Sequence, residues 1–82
     1  MDTTPKTITG VIKTKEVRKD KYGKSYLLLH LANGETIRVF PPRISYWEWP
    51  QLKEGKKYLF ICEPDNDLNA LVAWELVKDG GI

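Results

Sequence analysis

A chain of 82 residues with a formal charge of +2 and a single cysteine has room for one domain, taken here as residues 1–82 with ends at about 1–6 and 79–82 only loosely held. The lone thiol Cys62 excludes an internal disulfide, and no run approaches the roughly 18 apolar residues of a membrane span. With no signal-peptide core at its N-terminus, a cytoplasmic protein is expected.

The charge is unevenly placed. Residues 1–47 hold nine Lys/Arg against four Asp/Glu, whereas residues 48–82 hold four against seven. Six of the basic residues, Lys13, Lys15, Arg18, Lys19, Lys21 and Lys24, crowd into one short segment. A basic pole of this kind suits a polyanion.

In chain order, Thr7–Arg18 is rich in β-branched residues and long for one strand, with Gly10 placed to bend it. Lys19–Lys24 is a polar loop in which Gly23 can adopt positive φ. Then come two apolar runs, Ser25–Leu31 and Glu35–Phe40, flanking Asn33-Gly34. That dipeptide predicts a tight hairpin with a type I′ turn. On a period of two, Leu27, Leu29, Leu31, Ile37 and Val39 share one face. The other face carries Tyr26, Leu28, His30, Thr36, Arg38 and Phe40, a mixture of rings and a cation unlike an ordinary solvated surface.

Pro41-Pro42 ends the third strand. Ser45 followed by Glu48 fits a capping box, so one or two helical turns are expected before Gly55. Of Trp47 and Trp49 in this segment, one is expected to plug the barrel and the other to be exposed. Lys56–Glu63 is a fourth strand for which Tyr58/Phe60/Cys62 and Leu59/Ile61 are both plausible inward sets. Pro64–Asn69 reads as a turn-rich loop, and Ala70–Lys78 as a fifth strand with Val72, Trp74 and Leu76 on one side. Trp74 and Cys62 read as core residues, the thiol inert.

A long bent first strand, a tight second hairpin and a short helix between strands three and four resemble the OB-fold over about Thr7–Lys78. The run Asp20–Val39 is similar to the loop and hairpin of single-strand-binding OB domains. The resemblance implies an all-β, five-stranded Greek-key barrel that binds its ligand on strands two and three and the loops after strands one and four. An SH3-like barrel, as in small proteins that bind duplex DNA, is the alternative.

Carried onto this sequence, the resemblance implies binding of single-stranded nucleic acid, DNA ahead of RNA, with little sequence preference and a role in replication or repair. Tyr22, Tyr26, His30, Arg38 and Phe40 would offer stacking and edge contacts. Lys13, Lys15, Arg18, Lys19, Lys21, Lys24 and Arg43 would supply charge, and binding would weaken with salt. A second reading is an adaptor that docks a protein through Tyr46, Trp47 and Trp49; a homodimer is also compatible.

Neither a cofactor nor a metal is expected. The segment from Asp65 opens like a calcium loop but has Ala70 at the sixth position and Leu76 at the twelfth, where such loops need Gly and Glu. His30 has no second histidine to share a metal, and no nucleophile–base pair suggests an enzyme.

Overall fold

The Asn33-Gly34 hairpin forms as the centre of the molecule, in a geometry other than the expected type I′ turn. Strand β2 (Ser25–Leu31) pairs antiparallel with β3 (Thr36–Val39) in the register Leu27↔Val39, Leu29↔Ile37 and His30↔Thr36. Between them the Leu31 N–H donates to the Glu35 carbonyl at 2.9 Å and the Gly34 N–H to the Leu31 carbonyl at 3.1 Å. The loop is thus three residues, Ala32–Gly34, and ends on a glycine with φ of 94°. A tight turn followed by a left-handed glycine is the usual three-residue solution. Asn33 braces it by accepting the Glu35 N–H at 2.8 Å on its side-chain oxygen.

The computed structural model describes residues 5–41, 43–65 and 68–77, with backbone alone at 65 and 68. Strand β1 (Lys6–Lys19) is long enough to serve two partners: its first half pairs with β4 (Lys57–Asp65) and its second with β2. The break in register falls between Ile12 and Thr14, at Lys13 and not at the expected Gly10. Gly10 is buried, and a Cβ there would come within 3.2 Å of Leu31 Cδ1, so its role is close packing. Strand β5 (Leu68–Leu76) lies antiparallel to β4 and parallel to β3. The order β1-β2-β3-β5-β4 closes on itself as a barrel. This is the Greek-key OB arrangement.

Two further expectations are corrected, and the choice left open for the fourth strand is made. Strands β4 and β5 run to Asp65 and from Leu68, so most of the anticipated Pro64–Asn69 loop is sheet. On β4 the inward set is Tyr58, Phe60 and Cys62. A bulge opposite Ile61/Cys62 leaves Val72 without a partner, so Leu71 takes the inward place expected of Val72; Trp74 packs against the core as expected, and Leu76, on the same side at the strand end, is 48% exposed. The extra residue breaks the alternation that the sequence suggests.

The core holds the five expected hairpin side chains with Ile8, Ile12, Tyr58, Phe60, Cys62 and Leu71. Ile44 and Leu52, on either side of a 3₁₀ helix (Tyr46–Gln51), complete it. At the helix start the Glu48 carboxylate accepts the Ser45 N–H at 3.1 Å, the backward half of the expected capping box. Its other oxygen accepts the Trp74 indole N–H at 3.2 Å, which ties helix to barrel. Trp49 packs partly against the core and Trp47 is exposed.

Candidate nucleic-acid interface

Alternation of side chains on β2 and β3 puts Tyr26, Leu28, His30, Thr36, Arg38 and Phe40 outside the barrel wall. Strand β1 adds to the same layer Arg18 opposite Tyr26, Glu16 opposite Leu28, and Thr14 opposite His30. Glu16 was not anticipated as part of this face, whereas Leu28 was. Only the register past the Lys13 bulge places Glu16 there.

At the centre the Arg38 guanidinium lies over the Tyr26 ring, 5.2 Å from its centroid. Phe40 leans on the same ring at 5.2 Å with the planes 35° apart. Tyr26 is therefore only 7% exposed although it lies outside the core. This corrects the expectation of an open stacking platform at Tyr26: the ring is a foundation on which Arg38 and the half-buried Phe40 rest. Arg38 is half-buried and makes no ion pair among the described residues. Its Nε is buried and has no hydrogen-bond partner. A guanidinium held this way keeps its outer N–H groups for an incoming acceptor.

Beside it lies a carboxylate between a histidine and an arginine. Glu16 Oε1 sits 2.7 Å from His30 Nε2 and 3.1 Å from Arg18 Nη2. The hydrogen bonds from His30 and then from Arg18 hold the Glu16 carboxyl below its usual value, and Glu16 in turn raises Arg18. Arg18 is thus on the expected face, with much of its charge committed to Glu16.

The remaining basic residues separate. Lys15, Val17 and Lys19 alternate to the opposite side of β1 from Arg18. Lys15 is occupied, its Nζ donating to the Trp49 carbonyl at 2.9 Å. Arg43 is occupied too, bound to Glu63 at 2.5 Å. Each meets a partner distant in sequence, Lys15 through one of its three ammonium donors and Arg43 through the Glu63 carboxylate. Lys13, Lys19, Lys21 and Lys24 are exposed and without ion pairs among the described residues.

The β1–β2 loop is well organised. Asp20 Oδ1 accepts the Tyr22 N–H at 2.8 Å and the Lys24 N–H at 2.9 Å, and Gly23 takes a φ of 83°. This presents Tyr22 at the tip, 76% exposed, with Lys21 Nζ 5.3 Å from its ring centroid. A cleft of about 520 Å³ separates the loop (Asp20, Gly23, Lys24, Ser25) from Phe40, Pro41 and Tyr46. The structure thereby brings Lys24, Tyr26, His30, Arg38 and Phe40 to one side of the barrel, with Tyr22 at the exposed tip of the adjoining loop, and leaves Arg43 paired outside the group. Asp67 and the side chain of Asp65, which make the segment after β4 acidic in sequence, lie outside the described residues. Among the described residues no cluster of three His, Cys, Asp or Glu side chains could hold a metal.

No family model matches this sequence, and no curated protein matches it either. In three dimensions the chain is similar to the mitochondrial single-stranded DNA binding protein Rim1 of S. cerevisiae, with a TM-score of 0.74 and 18% identity. The match covers 98% of this chain and 100% of that one. The chain has the OB fold.

Proposed function

We propose that this protein binds single-stranded DNA with little sequence preference, on the outer face of β2 and β3 beside the β1–β2 loop. The observation that carries the reading is Arg38: a half-buried cation laid on an aromatic ring, with no carboxylate partner among the described residues. Taking a charge partly out of water without a counter-ion is costly, and a phosphate or a base edge supplies the missing partner. Phe40 offers a ring at the cleft and Tyr22 one at the exposed loop tip, and stacking on a ring is tolerant of base identity. Lys24 lines the cleft and the exposed Lys21 of the same loop adds charge for the phosphates. The similarity to a fold whose solved example is a single-stranded DNA binding protein favours that ligand class.

The test is fluorescence anisotropy of labelled (dT)12 against rising salt. Saturable binding with a negative slope in log K against log[salt] supports the reading. Arg38→Ala should weaken binding about tenfold and reduce the slope by about 0.7, the counterion share of one phosphate contact on a single strand. Unchanged affinity and slope in that variant would remove Arg38 from the interface. Tighter binding of duplex DNA or of (U)12 would redirect the ligand assignment.

A further inference from the structure

Tyr46 lines two clefts at once. The first is the cleft between the β1–β2 loop and Phe40. The second, about 420 Å³, runs under the β1–β2 hairpin and is lined by Lys15, Glu16, Val17, Leu27, Trp49 and Pro50 as well as Tyr46. We infer that the strand-binding surface continues past Phe40 into a second stacking subsite on Tyr46, occupied by the same single strand; this rests on the function proposed above.

The geometry that supports it comes from the break at Lys13. Beyond it β1 has left β4 and keeps β2 as its one strand partner, so that Val17, beside the buried Leu27, is 61% exposed. Opposite, i and i+3 eclipse in a 3₁₀ helix, so Tyr46 and Trp49 stand together, with centroids 4.7 Å apart. Tyr46 is nevertheless 57% exposed. A large ring supported from below by a second ring and open above is what an unstacked base needs.

The charges agree with a polyanion and not with an apolar peptide. Lys15 uses one of its three ammonium donors on the Trp49 carbonyl and keeps two for a phosphate. Lys19 shares its side of β1, and Lys24 lines the first cleft. The neighbouring carboxylates have internal partners: Glu16 turns to the other face toward His30 and Arg18, Asp20 accepts two loop N–H groups, and Glu54 accepts the Lys15 N–H at 3.0 Å. Tyr46, expected from the sequence to face a protein partner, thus becomes the second ring of a path that begins at Arg38.

Length dependence separates this inference from the function on which it rests. Wild-type protein is titrated with (dT)4 and (dT)12, alongside Tyr46→Ala and Tyr46→Phe. Spanning both the face and the subsite needs the longer strand, so Tyr46→Ala should cost (dT)4 clearly less than it costs (dT)12. The long one should lose about tenfold, within the range of one stacked base, and Tyr46→Phe should restore it. Equal affinities of wild type and Tyr46→Ala for (dT)12, or a matching loss with both oligomers, overturns the subsite while leaving the face intact. Failure of both oligomers to bind the wild type overturns the face itself. Should Tyr46→Ala melt early, Tyr46→Phe against Tyr46→Leu makes the same comparison with the volume kept, and equal (dT)12 affinities there overturn the subsite.

Discussion

Arg38 and Tyr26 form a stacked pair on the outside of the barrel, guanidinium carbon to ring centroid 5.2 Å, and each determines what the other can do. The ring gives the cation a fixed orientation. The cation in turn covers the ring, so that the residue expected to stack on a base instead supports the residue proposed to meet a phosphate.

Substitution should separate these two roles. Tyr26→Ala removes a ring that is buried against Arg38 and Phe40 and should cost about 2 kcal/mol of stability. For a domain of this size that is on the order of a 10 °C fall in Tm. Arg38→Ala should leave Tm within a few degrees while weakening (dT)12 binding. Thermal melts of the two variants, run beside the binding assay, check the division.

Glu16 places a negative charge on a face that is proposed to receive phosphates. Glu16→Gln should tighten (dT)12 binding about threefold at low salt, the size of one exposed charge interaction, and the gain should fade as salt rises. The same residue has a pH signature. Its carboxyl lies below the ordinary value because His30 and Arg18 donate to it. Its stabilising contribution is therefore present above the unfolded value of about 4.5 and lost as pH falls through the lower folded value. Chemical denaturation of wild type and Glu16→Gln across the acid range should show the two curves converging at low pH.

Cys62 lies in the core on β4, and burial pushes its thiol up to about 11. Native protein should resist thiol reagents at pH 8 and react only when unfolded. Because the folded value is raised, the neutral thiol's contribution is complete below about 9 and is lost as pH rises toward about 11. Denaturation of wild type and Cys62→Ala on the alkaline side checks this: the difference between them should shrink over that interval.

Gly34 closes the hairpin loop with a φ of 94° and has open space where a Cβ would sit. The cost of Gly34→Ala is thus conformational and not steric, about 1 kcal/mol. Urea denaturation should show a lower midpoint with an unchanged slope and no loss of oligomer binding.

The parts of the fold that were legible in the sequence are those that short-range rules govern. Asn33-Gly34 announced the hairpin, and the alternating leucines fixed which face of it enters the core. Ser45 and Glu48 announced the short helix. Events that depend on partners far along the chain were not legible. Nothing about Lys13 or Val72 marks a bulge, yet each changes which side chains share a face for the rest of its strand. The basic segment looked like one cluster because sequence proximity ignores the two sides of a strand. Likewise, the pairing of Arg43 with Glu63, 20 residues away, and the folding of Arg38 over Tyr26 depend on contacts that only the closed barrel creates.

The most direct test of the central claim is a backbone amide shift map as (dT)12 is added to uniformly ¹⁵N-labelled protein. The account predicts the largest changes at Tyr26, Arg38, Phe40 and the loop Asp20–Lys24, with the Arg38 side-chain Nε–H shifting alongside them. Changes confined to Leu59, Ile61, Ala73 and Glu75, on the outer side of the β4–β5 hairpin, would contradict it.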